Sequence, residues 1–183
     1  MKVLRTGVLL LLAASSFSAM AQDKKEEKAA VKTRLSGGLE AGLPVGKLSD
    51  SHDYTLGAAV QVEVPVSSDK LFITGNAGYV HYVGKSAVAD LNVVPVKAGL
   101  RVYPAEKFYL GADAGAAFLV NKGIANGDKS AAFIYAPHAG YVFNVGAKNH
   151  LDTGVRFEST SKFYDAGKSQ NVLALRVAYA FGL

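Results

Sequence analysis

Apolar residues alternate with small or polar residues along eight segments, which follow one another from residue 31 to the end of the chain with connections between them. In a β-strand successive side chains point to opposite faces, so this alternation predicts strands with one apolar face. The predicted strands are 31–44, 54–66, 71–83, 91–104, 107–121, 131–146, 150–161 and 171–183.

The connections between these segments are alternately long and short. The short ones are 67–70, 105–106 and 147–149, and the long ones are 45–53, 84–90, 122–130 and 162–170. Transmembrane β-barrels have this arrangement, with tight turns on the periplasmic side and longer loops outside. An even number of strands also places both chain termini on the periplasmic side.

The two faces of the strands differ in composition. In the last segment one face is apolar, and the other carries Arg176 among alanines and Gly182. The apolar face consists of Leu173, Leu175, Val177, Tyr179, Phe181 and Leu183. This alternation alone fits a transmembrane barrel or a soluble, secreted, lipocalin-like ligand-binding barrel.

Glycines decide between these two barrels. A soluble surface does not need many strand glycines, which weaken strands, whereas the crowded lumen of an eight-stranded barrel does. The predicted fold class is therefore all-β: an eight-stranded antiparallel up-and-down transmembrane β-barrel. The glycines that support this choice share a strand face with the charged residues. They are Gly38, Gly42, Gly57, Gly78, Gly99, Gly111, Gly115, Gly140, Gly154 and Gly182.

Ten charged residues fall on the predicted lumen face, in equal numbers of each sign. Buried charges are costly unless they are paired, so we expect a network of ion pairs that plugs the lumen. The alternative is a narrow solute or ion channel. The network comprises Arg34, Glu40, Glu63, Lys97, Arg101, Asp113, Asp152, Arg156, Glu158 and Arg176, with Gln61, Asn76, His138 and Asn144 as neutral partners.

The N-terminal residues predict export. Lys2 and Arg5 precede an apolar segment with four leucines, and Ala19-Met20-Ala21 follows as a cleavage site, so 1–21 reads as a signal peptide. A membrane helix is the alternative, although the apolar segment is short for one. Residues 22–30 are expected to be a flexible charged periplasmic lead-in, or else a short helix, and 31–183 the barrel domain. The expected location is the outer membrane.

Composition and motifs exclude several functions. The net charge is +5, but the basic residues are scattered, so we expect no nucleic-acid partner. Cysteine is absent, which excludes disulfides and a lipoprotein anchor. The histidines His52, His81, His138 and His150 occur in no H-x-S or metal-ligand pattern, so we expect a non-enzymatic protein without cofactor or metal.

Two further expectations concern the histidines and aromatic residues. Asp50, His52 and Asp53 could hold a cation weakly, but a solvated turn is the simpler interpretation. His81 is expected to join its neighbouring tyrosines at the outer face. An aromatic girdle, or simple strand propensity, accounts for Tyr54, Phe108, Phe133, Tyr141, Phe143, Tyr179 and Phe181.

Three short motifs carry a family resemblance: LEAGLPVG at 39–46, EVPV at 63–66 and GNAGY at 75–79. They resemble small outer-membrane β-barrel proteins common in Bacteroidota. This resemblance implies an OmpA/OmpX-like eight-stranded fold and transfers no catalytic residues.

The chain end, with Tyr179, Phe181 and Leu183, resembles the terminal-strand signal that the barrel-assembly machinery recognises. The familiar signal ends in an aromatic residue, whereas this chain ends in leucine. The expected partners are outer-membrane lipid and that machinery, and we expect a monomer. A structural or surface-contact role is the first hypothesis, and a part in a secretion or assembly apparatus is an alternative.

Overall fold

A computed structural model describes residues 33–68, 70–86, 88–120, 130–146, 148–162 and 169–182. The strands are β1 (Arg34–Val45), β2 (His52–Ser68), β3 (Leu71–Gly84), β4 (Leu91–Val102), β5 (Phe108–Leu119), β6 (Ala131–Asn144), β7 (Asn149–Thr160) and β8 (Gln170–Gly182). A 3-10 turn, Gly46–Leu48, follows β1. Within these ranges no helix has the length and apolar character needed to cross a membrane.

The eight strands form a closed barrel in which each strand pairs antiparallel with its neighbours in sequence. Closure is made by β1 and β8, which pair from Arg34 opposite Gly182 to Val45 opposite Asn171. A closed sheet has no unpaired edge strands. The predicted fold class is confirmed, and the strand ends lie within a few residues of their predicted positions. The predicted signal peptide, the lead-in and Leu183 lie outside the described residues.

The connections divide the barrel into two ends. Among the described residues, 70, 103–107, 145–146 and 148 lie at the turn end, and 46–51, 85–86, 88–90, 120, 130, 161–162 and 169 lie at the loop end. The prediction placed Pro104 in the fourth strand and was wrong there. Proline has no N–H to donate to a strand partner, and Tyr103 instead turns inward, where its side chain is buried.

The outer face of the barrel is apolar. Leu39 is 71% exposed and Leu175 is 62% exposed, although both lie in the middle of strands. The predicted girdle aromatics are all exposed on this face: Tyr54, Phe108, Phe133, Tyr141, Phe143, Tyr179 and Phe181. A contiguous apolar surface of this kind is unusual in water and typical of barrels that face lipid.

The interior contains three layers of side chains. At the loop end an apolar layer surrounds Tyr82 and Ile134, and at the turn end Phe72, Tyr103, Tyr109 and Val142 form an aromatic cluster. Between these two layers lies a set of buried charged and polar residues.

Candidate functional site in the barrel lumen

The ten charged residues predicted for the lumen all lie on the inward face of their strands. Nine of them are buried. Arg34 is the exception, with 24% of its side chain exposed, because it stands at the first position of β1. Burial of this many charges is tolerated in proteins only when they are paired and hydrogen-bonded.

Arg101 is the centre of the charge group next to the turn end. Its Nη1 lies 2.6 Å from Glu63 Oε1 and 2.9 Å from Asp152 Oδ2. The Tyr109 hydroxyl donates to Asp152 Oδ1 at 2.6 Å, and its ring lies 3.7 Å below the Arg101 guanidinium. Arg34 adds a weaker contact, 3.9 Å from Glu63 Oε2. Arg101 and Arg34 together therefore match the charges of Glu63 and Asp152, and the aromatic ring stabilises the Arg101 cation further.

A second charge group lies deeper in the barrel around Glu40. This carboxylate accepts hydrogen bonds from Arg156 Nη1 at 2.9 Å and from Arg176 Nη1 at 3.1 Å. Arg156 also approaches Asp113 Oδ2 at 3.5 Å. Lys97 donates to Glu158. Arg156 Nη1 also lies 3.8 Å from Glu158 Oε1. These contacts join the six residues into one continuous network of alternating charge.

Several of these ion pairs cross the lumen. Lys97 and Arg101 belong to β4, whereas their partners Glu158 and Asp152 belong to β7. The neighbours of β4 are β3 and β5, and those of β7 are β6 and β8. The paired side chains must therefore extend through the barrel centre, where they occupy the space that a conducting path would need.

Neutral polar side chains complete part of this network. Gln61 donates to Glu63 Oε1 at 2.9 Å, and Asn76 donates to Gln61 at 3.4 Å. Thr74, which the sequence analysis did not single out, donates to Asp113 Oδ1 at 2.7 Å. Asn144 takes no part, because it is exposed at the turn end and contacts His150 at 3.0 Å.

The apolar layer at the loop end covers the charges from that side. Leu48, from the 3-10 turn, is buried in this layer. The chain folds inward because Gly46 adopts a positive φ of 64°, which glycine tolerates without steric cost. This layer was not predicted from the sequence, which had indicated a polar lumen throughout. Its inward residues also include Val80, Tyr82, Val93, Leu119 and Ile134.

Several solved structures that share this architecture are of bacterial outer-membrane proteins. Neisserial surface protein A aligns with a TM-score of 0.62 and 13% identity over 82% of this chain and 97% of its own. The outer membrane enzyme PagL gives 0.55 and 15% over 82% and 99%. Outer membrane protein OprG from Pseudomonas aeruginosa gives 0.53 and 13% over 84% and 96%. The chain has the fold of the small eight-stranded outer-membrane β-barrels.

The OmpA/OmpX-like resemblance is thereby confirmed as a likeness of fold. No protein-family model and no curated protein sequence matches the chain. Because the same outer-membrane fold carries an enzyme in one neighbour and a surface protein in another, the fold does not determine the activity.

The histidines of this outer-membrane fold occupy different environments. His52 is buried at the start of β2, and its Nδ1 contacts Ser51 Oγ at 2.9 Å. Its Nε2 has no hydrogen-bond partner, so the third group that orients the base in a Ser-His-Asp arrangement is missing from this pair. His138 lies in the lumen, 3.6 Å from Asp113. His81 lies on the outer face with Tyr79, as expected, whereas Tyr82, which was expected beside them, is buried in the lumen.

Within the described ranges, no group of three His, Cys, Asp or Glu side chains is arranged to hold a metal ion. The loop that could have held a cation is organised differently. Asp53 lies 3.7 Å from Lys85 Nζ, and His52 points inward.

Proposed function

We propose that the protein is a non-enzymatic integral outer-membrane β-barrel that serves as a structural or surface-contact protein. Its lumen is closed by its own side chains, so it does not conduct. The cross-lumen ion pairs between β4 and β7 carry this proposal, because they occupy the barrel centre.

The closure of the lumen rests on all three layers. An eight-stranded barrel has an interior just wide enough for side chains to fill. Here the charged layer is covered by apolar side chains at the loop end and by the aromatic cluster at the turn end. An ion would have to displace both apolar layers and separate paired charges.

The apolar outer face and the fold shared with outer-membrane proteins support the membrane location. Lipid is then the main surrounding of the barrel, and insertion requires the barrel-assembly machinery. The signal peptide at 1–21 would direct the chain to the periplasm before that step.

The proposal of a non-enzymatic role rests on the polar residues that the structure describes. Hydrolases need a nucleophile and a base that a third group orients. The Ser51–His52 contact lacks that third group, and the buried lumen carboxylates are engaged with Arg or Lys side chains. A substrate would therefore find no prepared constellation in these regions.

Single-channel recording in planar bilayers tests the closed lumen. We expect no steady conductance from the refolded wild-type protein. The double variant Lys97→Ala/Glu158→Ala removes one cross-lumen ion pair. It is the comparison sample, because its interior is more open than that of the wild type. Steady open conductance from the wild type would contradict the proposal.

The second candidate function, a narrow ion channel, predicts that conductance, together with a change in it on Arg101→Ala or Glu63→Ala. Co-purification from native membranes tests the remaining alternative. A stable stoichiometric complex would assign the barrel to a secretion or assembly apparatus.

A further inference from the structure

The outer face of the barrel carries a polar cluster at the loop end of β3 and β4. It consists of Tyr79, His81, Asp90 and Asn92, here called the rim cluster. Asn92 Oδ1 contacts the Tyr79 hydroxyl at 2.8 Å and His81 Nδ1 at 2.7 Å. His81 Nε2 lies 3.5 Å from Asp90 Oδ2. These four side chains form one connected polar surface.

The rim cluster has a fixed hydrogen-bond direction. An amide oxygen only accepts, so both the Tyr79 hydroxyl and the His81 Nδ1–H donate to Asn92. His81 Nε2 is then directed toward the Asp90 carboxylate. The other oxygen of that carboxylate accepts from the Gly84 backbone N–H at 2.8 Å, which holds Asp90 against the end of β3.

The rim cluster lies close to the loop end of the barrel. His81 stands three residues before the end of β3, and Asn92 is the second residue of β4. At about 3.3 Å per residue, His81 and Asn92 lie within roughly 10 Å of the strand ends, less along the membrane normal because strands tilt. Loop ends face outward in such barrels, so the cluster lies at the level of the outer-leaflet headgroups.

The cluster remains accessible from the membrane side. Tyr79 is 46% exposed, and the side chains of His81 and Asp90 are 37% and 51% exposed. Polar groups are costly in hydrocarbon, and elsewhere this face presents leucine, valine and aromatic residues. The rim cluster is therefore suited to the headgroup layer, where its exposed side chains can meet a polar partner.

The nearby charges bear on the nature of that partner. Lys85 donates to the Ser49 carbonyl at 2.7 Å and lies 3.7 Å from Asp53, so its charge is already matched. Asp90 adds a carboxylate beside His81. An anionic phosphate would meet this carboxylate, whereas a neutral sugar could donate hydroxyl protons to it and lie against the exposed Tyr79 ring.

We propose that the rim cluster binds the sugar headgroup of an outer-leaflet glycolipid. Asp90 accepts from the sugar hydroxyls, His81 orients them, and Tyr79 supplies an apolar ring face. This inference rests on the proposed placement of the barrel in a membrane, and it names a lipid class with which the outer face makes a specific contact.

Native mass spectrometry of the barrel in nanodiscs tests the site. The discs contain phosphatidylcholine with a small fraction of either monogalactosyl diacylglycerol, which has a sugar and no phosphate, or phosphatidic acid, which has a phosphate and no sugar. We expect the galactolipid to remain bound above its bulk fraction. His81→Phe should lower that enrichment by about tenfold, the scale of one or two lost hydrogen bonds.

His150→Phe is the matched control. His150 also contacts an asparagine side chain, Asn144 at 3.0 Å, but it lies at the turn end. This variant should keep the galactolipid enrichment. Heat-modifiable migration on gels verifies that each variant is folded.

Three results would overturn the inference. Equal retention by wild type and His81→Phe excludes the rim cluster, and equal enrichment of phosphatidic acid excludes a sugar as the recognised group. If the wild-type protein inserts in the disc but retains no excess galactolipid, the binding site is contradicted and the membrane placement is not. A protein that does not enter the disc contradicts the membrane placement itself.

Discussion

Arg101 of β4 reaches across the lumen to Asp152 of β7, with 2.9 Å between Nη1 and Oδ2. The same Nη1 is 2.6 Å from Glu63, so two buried carboxylates share the Arg101 guanidinium. Arg101→Leu should lower the free energy of unfolding by about 3–5 kcal/mol, because it leaves these charges unpaired in a buried site. Equilibrium unfolding by urea in detergent micelles measures the loss.

Arg34→Leu is the control for this prediction. Arg34 is partly exposed and lies 3.9 Å from Glu63. Ion pairs of this kind contribute about 0–1 kcal/mol. Adding Glu63→Gln and Asp152→Asn to Arg101→Leu should recover much of the stability. A loss that is equal for Arg34→Leu and Arg101→Leu would show that the cross-lumen pairing is unimportant.

Gly154→Ala should destabilise the barrel by about 1–3 kcal/mol, the usual cost of an overpacked interior. Gly154 and Gly140 are opposite each other in the β6–β7 register. A Cβ on Gly154 would lie 2.6 Å from the Tyr109 hydroxyl oxygen, which is hydrogen-bonded to Asp152. The added methyl group must therefore displace that hydroxyl. Thermal unfolding followed by circular dichroism measures the effect.

Gly37→Ala is the matched substitution on the outer face. A Cβ there meets no atom within 4 Å. Alanine costs less backbone entropy than glycine in a strand, so the change should be neutral or slightly stabilising. If both alanines have the same effect, steric crowding of the lumen is not the reason for Gly154.

The alternation of side chains fixes which face of a strand each residue occupies, and together with the alternating connections and the strand glycines it predicted the closed fold. The same alternation places Phe72, Tyr82 and Ile134 inward, yet the predicted lumen was polar. Near the barrel ends, some apolar side chains face lipid and others pack inside the lumen. Composition alone does not distinguish these two roles. The ion pairs could not be predicted because β4 and β7 are not neighbours, so sequence spacing gives no measure of the distance across the lumen.

Alkaline pH should destabilise the barrel through Tyr103. Burial and the nearby Glu63 carboxylate raise the pKa of Tyr103 from 10.0 to about 12. The unfolded chain then loses this phenolic proton at lower pH than the folded chain does. The free energy of unfolding should fall as pH rises from about 10 to about 12. Urea unfolding over that range measures the slope.

Tyr103→Phe should reduce the slope, since it removes the titrating group. The exposed Tyr135→Phe serves as the comparison. A slope that is unchanged by Tyr103→Phe would assign the alkaline sensitivity to other groups.

Phe181→Ala should slow assembly into the membrane if the terminal residues act as an insertion signal. Tyr179 and Phe181 are exposed on the outer face, with ring centroids 4.8 Å apart. Tyr141 and Phe143 form an equivalent outer pair at 4.8 Å on an internal strand, so Phe143→Ala is the control. Leu183→Phe, which restores the familiar aromatic end, should speed assembly. Folding into liposomes containing the assembly machinery measures the rates.

Leu39→Arg tests directly whether the outer face meets lipid. Leu39 is 71% exposed near the middle of β1. An arginine at the bilayer midplane costs about 2–4 kcal/mol, falling to about 0–1 kcal/mol near the interfaces. Leu39→Arg should therefore lower the unfolding free energy in phospholipid vesicles strongly. Val145→Arg, at the turn end and 53% exposed, should change it little. A soluble barrel would tolerate both substitutions equally, because each side chain would then extend into water.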